Sequence, residues 1–224
     1  MTTRFRLLVL DLDGTLVDSE AILVGLVNDT LAAHGHPRAQ PRAVAASIGL
    51  PLDEVFRRAL PSRISPDALA ALCAAYRAQA DRADFVRQFR LYPDVASTLA
   101  TLRQAGLRLV IGTSKGRATT GDIARHCGID GLLDGIVGGD CVTRGKPHPE
   151  MVRRAQALYA AAADETLVVG DTSFDITMGQ AAGVATCAAA YGMHGAETLR
   201  ALQPDFVIDR FAQVLDVVGG RPVA

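Results

Sequence analysis

Two aspartates one residue apart close an apolar run in VLDLDGTLVDS, residues 9–19. In an extended chain, positions i and i+2 face the same side, so Asp11 and Asp13 converge where the strand ends. Like charges this close repel each other and need a cation or a proton to hold them together. Gly14 permits a tight turn whose amides can face an anion. Alone, such a pair reads as a solvated loop, but a second strand end repeats the pattern. In VVGDTSFD, residues 168–175, Asp171 is the first polar group after a buried run, and Asp175 follows at the start of a helical stretch. Thr172 or Asp175 suits the cap of that helix, and capping leaves Asp171 unexplained. Oxygens from Asp11, the backbone carbonyl of Asp13 and Asp171 suit a magnesium ion whose shell is completed by water and a phosphate. The five histidines show no ligand spacing, which disfavours zinc.

Two further segments supply charge and hydroxyls. LVIGTSKG, residues 109–116, ends a third apolar run at Thr113, whose hydroxyl and nearby amides can hydrogen-bond a phosphoryl oxygen. TRGKPHPE, residues 143–150, carries Lys146, one of only two lysines in a chain that otherwise uses arginine; the other is Lys115. A compact ammonium on a flexible stem does a different job from a planar guanidinium fork, and Lys146 would neutralise the phosphoryl group together with Asp11.

These residues need strands that end at one place. RLLVL before Asp11, LRLVIG from Leu107, GIVG around Ile136, TLVVG from Thr166, VATCAA from Val184 and DFVI from Asp205 read as short buried strands. Helical patterns fall between most of them, at 95–105, 117–127, 149–162, 174–182 and 197–202. Strand alternating with helix predicts an α/β fold, a doubly wound, Rossmann-like parallel sheet with its site at the carboxyl ends of the strands. Residues 16–90 are the exception. They show helical runs at 21–34, 52–60 and 66–89 and no convincing strand, which predicts an all-helical cap inserted into a core of residues 1–15 and 91–224.

Composition limits the partners. A chain of 224 residues, about half of them hydrophobic (49%), can bury a full core with a small insertion. Its net charge of -1 gives no reason to expect nucleic acid or an anionic membrane. No apolar run spans a bilayer, and the first one runs directly into two carboxylates, unlike a secretory signal. A cytoplasmic protein is expected, monomer or homodimer. Cys73, Cys127, Cys141 and Cys187 form no CxxC pair and are expected to be reduced packing residues.

With these residues in view, the chain resembles the haloacid dehalogenase superfamily, in the branch of phosphatases with a helical cap. DLDGT matches the first motif, Thr113 the second, Lys146 in GKPHPE the third and GDTSFD the fourth. DSE, IGLPLDEVFRRAL and the later YG and PDFVIDRF are most similar to phosphoglycolate phosphatase-like proteins. Ser114 departs from the asparagine of many relatives. The resemblance implies a magnesium-dependent hydrolase of a small phosphorylated metabolite, such as phosphoglycolate or a sugar phosphate. In it Asp11 is the nucleophile and Asp13 the acid and then the base, while magnesium, Thr113 and Lys146 offset the charge. Asp175 would orient Lys146 or a metal-bound water. The Lys146-Pro147 bond is expected to be cis, as relatives often have it.

The resemblance leaves rivals. A dehalogenase would lack Asp13, and a phosphonate hydrolase would need a lysine in residues 16–90, where there is none. A phosphoryl mutase of the beta-phosphoglucomutase type, a pyrophosphatase and a non-catalytic sugar-phosphate sensor remain, although a sensor would be expected to lose catalytic residues. A receiver domain would carry its acceptor aspartate on a later strand, and RGKP puts proline where a P-loop requires serine or threonine. Specificity is expected in the cap, where the break in SIGLPLDEVFRRAL lets Gly49 turn toward the site, unless that break only joins two helices; Thr113, Ser114, Lys146 and Gly49 are the expected substrate-binding residues.

Overall fold

A computed structural model describes residues 3–221. The chain enters through β1 (Leu7–Leu10), then makes a two-residue strand, β2 (Val17–Asp18). Five helices follow: α1 (Glu20–Ala33), α2 (Pro41–Ala45), α3 (Leu52–Ala59), α4 (Pro66–Ala80) and α5 (Ala83–Val86). The return strand β3 (Arg90–Leu91) pairs antiparallel with β2. From there strand and helix alternate through α6 (Val95–Gln104), β4 (Arg108–Gly112), α7 (Arg117–His126), β5 (Gly135–Val137) and α8 (Glu150–Tyr159). The chain closes with β6 (Thr166–Gly170), α9 (Ser173–Ala182), β7 (Ala185–Ala189), α10 (Gly195–Arg200), β8 (Phe206–Ile208) and α11 (Val214–Val218).

Six strands form one parallel sheet in the order β5-β4-β1-β6-β7-β8. Apolar side chains on both faces explain why these runs do not alternate with polar residues. Leu8, Leu10, Leu109, Ile111, Leu167 and Val169 fill one layer with Leu99 of α6 and Ile123 of α7. Leu7, Val9, Val110 and Val168 fill the other with Met151 and Val152 of α8 and Met178 of α9. The doubly wound parallel sheet expected from the alternation is therefore what forms. Because β4, β1 and β6 are neighbours, the residues leaving their carboxyl ends meet: Thr113, Asp11 and Asp171.

Helices α1 to α4 enclose a third apolar cluster, with Val27, Leu31, Phe56 and Leu72 at its centre. Three details of residues 16–90 depart from the sequence reading. The stretch is not all-helical, because β2 and β3 pair where the chain leaves and re-enters the sheet, with Val17 opposite Leu91. The run at 66–89 is two helices: Asp81 ends α4, its carboxylate taking the hydroxyl of Thr119 on α7, and Arg82 turns extended at φ -74°, ψ 138°. A tertiary contact thus overrides a pattern that continues in sequence. The third is α2, which starts on Pro41, a residue suited to the first helical turn, in a stretch that reads as a break. Among the described residues no helix is long and apolar enough to cross a membrane.

Candidate active site

The site is built at the ends of the three central strands. The Asp11 amide donates to the Val169 carbonyl at 2.9 Å, extending the ladder one residue beyond β1. The chain then turns through Gly14 at φ +82°, whose amide donates to Val17 at 2.9 Å and so serves the turn itself and no anion. The glycine also makes room, because a Cβ there would lie 2.1 Å from the Asp171 carboxylate. Gly192 closes the opposite side, where a Cβ would come within 2.3 Å of the Asp171 side chain. Between them Asp171 accepts hydrogen bonds from Thr15 Oγ1 at 2.7 Å and the Met193 amide at 2.8 Å.

Lys146 is completely buried, its Nζ 2.8 Å from Asp11 Oδ1 and 2.6 Å from Asp175 Oδ1. Burial by itself would lower its pKa; the carboxylates of Asp11 and Asp175 outweigh that and hold it above the ordinary lysine value. The Lys146-Pro147 bond is cis, as expected. Asp175 divides its oxygens: one meets Lys146, while Oδ2 takes the Thr172 amide at 3.1 Å and hydroxyl at 2.6 Å. Thr172 Oγ1 accepts from the Asp175 amide in return, so both residues share the capping box of α9.

Asp11, Asp171 and Asp175 each place a carboxylate oxygen within 4.8 Å of the others, and all three are buried. Burial pushes the Asp11 carboxyl up to about 7, helped by Asp175 and Asp13 and opposed by Lys146. Burial, then Asp11 and Asp175, pushes Asp171 well above the usual range. A single lysine does not balance three buried acids, and an all-oxygen donor set suits a hard divalent cation such as magnesium. Thr15, Met193, Gly14 and Gly192 hold Asp171 in that cluster. The Asp13 carboxylate is not among the three.

Asp13 has another partner. Its Oδ2 lies 3.3 Å from Nζ of Lys115, and both side chains are 10% exposed. Burial would depress Lys115, but Asp13, then Tyr76 and Asp11, raise its pKa above the ordinary value. The ammonium also sits 5.4 Å from the ring centre of Phe89. Thr113 is buried directly after β4, and its Oγ1 accepts from the Lys115 amide at 3.2 Å.

The loop between α2 and α3 rests on these strand ends. Gly49 adopts φ +103°, and its carbonyl accepts from Ser114 Oγ at 2.5 Å. A Cβ on Gly49 would lie 3.2 Å from Thr172 and Phe174, and one on Gly145 would lie 3.1 Å from Pro51. Asp11, Asp13, Gly49, Thr113, Ser114 and Lys115 line a cavity of about 680 Å³, walled opposite by Leu23, Val27, Ile48 and Tyr76. Lys146, Asp171 and Asp175 lie beneath that lining, fully buried.

All the sequence-derived residues therefore gather at one end of the sheet. Lys115, Thr15 and Gly192 stand outside that set. The rarity of lysine pointed to Lys115, whereas Thr15 in DLDGT and Gly192 in YG lie within recognisable motifs that gave no sign of their role, which is contact with Asp171, 156 residues from Thr15. The four cysteines are free, as expected.

The family model for haloacid dehalogenase-like hydrolases matches residues 8–189. The chain is 34% identical to a phosphoglycolate phosphatase of Vibrio vulnificus, with 95% of this chain and 96% of the relative covered. It is 32% identical to the pyrophosphatase PpaX of Halalkalibacterium halodurans, covering 93% and 94%. Among solved structures, a putative haloacid dehalogenase-like hydrolase from Bacteroides fragilis superposes with a TM-score of 0.88 at 30% identity, over 94% of this chain and 99% of that one.

Proposed function

Because the chain belongs to the haloacid dehalogenase-like hydrolase family, we propose that it is a magnesium-dependent phosphatase. Its substrate is a small phosphorylated metabolite, phosphoglycolate or a sugar phosphate, cleaved through an aspartyl-phosphate intermediate. The observation that carries this reading is Lys146, buried between Asp11 and Asp175 beside Asp171, beneath the lining of the cavity. An ammonium so placed opposes the burial that raises the Asp11 carboxyl and sets a fixed positive charge beside it, the environment a phosphoryl acceptor needs.

Asp11 attacks phosphorus in line. Asp13 gives a proton to the leaving oxygen, then takes one from the water that cleaves the aspartyl phosphate. Thr113 donates to a phosphoryl oxygen, and Asp175 orients Lys146. Magnesium, held by Asp11, the carbonyl of Asp13 and Asp171, would supply the positive charge that offsets the phosphoryl oxygens.

Residues 1–15 and 91–224 act as the catalytic core; residues 1–2 and 222–224 lie outside the described residues. Residues 16–90 act as a cap that closes over the leaving group and excludes water. The Ser114 to Gly49 hydrogen bond and the close seats of Gly49 and Gly145 support that role, and with it the reading that Ser114 and Gly49 bind substrate. The protein works in the cytoplasm, as monomer or homodimer, with no nucleic acid or membrane partner. Pyrophosphate is the second reading, favoured by the likeness to PpaX.

The test is phosphate release from a panel of small phosphate esters and pyrophosphate with magnesium, run beside Asp11→Asn. Preference for phosphoglycolate or a sugar phosphate is expected, and preference for pyrophosphate selects the second reading. Release from no member, or equal release by Asp11→Asn, overturns the phosphatase assignment.

A further inference from the structure

We propose that Lys115 is a positioning residue, holding the Asp13 carboxylate in the orientation in which it exchanges protons with the leaving group and with water. The inference rests on the phosphatase reading above. Lys115 Nζ takes Oδ2 at 3.3 Å, while Oδ1 is buried with no hydrogen-bond partner among the described residues. The cation thereby fixes the orientation of the carboxylate at the wall of the cavity, which Asp13 lines.

The ammonium is itself held in place. Its side chain is 10% exposed, it faces the Phe89 ring at 5.4 Å, and its own amide donates to Thr113 Oγ1 at 3.2 Å. One short loop thus carries both the phosphate-side hydroxyl and the cation that aims Asp13. The two lysines of the chain divide the work, with Lys146 on Asp11 and Lys115 on Asp13.

In the first half-reaction the proton on the Asp13 carboxyl passes to the leaving oxygen as the bond from phosphorus to that oxygen breaks and the bond to Asp11 forms. In the second, water gives a proton to the Asp13 carboxylate as its oxygen bonds to phosphorus. The bond to Asp11 then breaks, which returns the free carboxylate and releases phosphate. Asp13 must not rotate between the two steps, and a misplacement of about 1 Å at such a group costs on the order of a hundredfold.

The experiment compares Lys115→Met with wild type on glycerol 2-phosphate, whose alkoxide leaving group needs a proton, and on 4-nitrophenyl phosphate, whose leaving group does not. It repeats the pair in an Asp13→Asn background. The expected result is a roughly 10- to 100-fold loss of kcat on glycerol 2-phosphate with KM within about twofold, and a smaller loss on the aryl ester. In Asp13→Asn the second substitution should change kcat by less than about twofold, because neighbours acting through one group are not additive. A rise in KM with kcat intact would make Lys115 a substrate-binding residue and overturn the proposal, as would a full loss in the Asp13→Asn background. A crystal structure of Lys115→Met decides independently of activity. A turned Asp13 carboxylate is expected, and an unmoved one refutes the proposal even if no ester is cleaved.

Discussion

Adding one methyl group at Gly192 tests the metal assignment without replacing a carboxylate. A Cβ there would stand 2.3 Å from Asp171 Cβ and 2.4 Å from its Oδ2, so the side chain must withdraw by about 1 Å to reach ordinary contact. Overpacking of this kind costs about 1–3 kcal/mol. The withdrawal also strains the bonds from Thr15 at 2.7 Å and Met193 at 2.8 Å, each of the charged type worth roughly 1.5–3 kcal/mol. If about 1–3 kcal/mol of this falls on the metal-bound form, Gly192→Ala should weaken magnesium about fivefold to a hundredfold. The readout is the magnesium concentration for half-maximal phosphate release, with the thermal shift on adding magnesium as a second measure. Gly25→Ala is the control: the glycine lies within α1 with nothing within 4 Å of the added carbon, so the change should be neutral or stabilising by up to about 1 kcal/mol. Wild-type magnesium dependence in Gly192→Ala would refute the reasoning that Asp171, held in this cradle, binds the metal.

Asp11→Asn should abolish nearly all turnover with an unchanged melting temperature, whereas Asp13→Asn should lose about 10²- to 10⁴-fold in kcat; full activity in Asp11→Asn would sink the mechanism. Lys146→Arg should not restore normal rate, since a broad fork replaces a point charge in a completely buried slot between two carboxylates, and a kcat within twofold of wild type would contradict this. The Asp11 carboxyl, raised to about 7 against roughly 3.9 in the unfolded chain, makes the folded metal-free protein bind the proton more tightly. Its contribution to stability is therefore present at low pH and lost as pH rises through about 7. Magnesium must displace that proton, so the gain in melting temperature on adding it should be larger at pH 8 than at pH 5, and equal gains would contradict the linkage. Substitutions at Ile48 and Leu50, beside Gly49, should change relative rates among phosphate esters more than the rate on an aryl phosphate; rates that move together would show that this loop does not select substrate.

Residue order alone was enough to mark Asp11, Asp13, Thr113 and Asp171 as candidates, because each closes or follows an apolar run whose length and flanks mark a strand end, while Lys146 stood out by the rarity of lysine. It was enough, too, for the parallel sheet, since buried strands alternating with helices have few other ways to cover both faces. Strand order was not legible, and it is what brings β4, β1 and β6 side by side and turns three separate motifs into one site. Nor was the division of residues 66–89, where the local pattern continues through Asp81 and only Thr119, 38 residues on, gives the break a partner. The pairing of Lys115 with Asp13 and the seating of Asp171 between Gly14 and Gly192 belong to the same class. Periodicity is written in neighbours two to four residues apart, whereas these contacts join segments tens to more than a hundred residues apart. Their geometry exists only once the sheet has closed and the packing of its two faces has set how closely each backbone approaches the next.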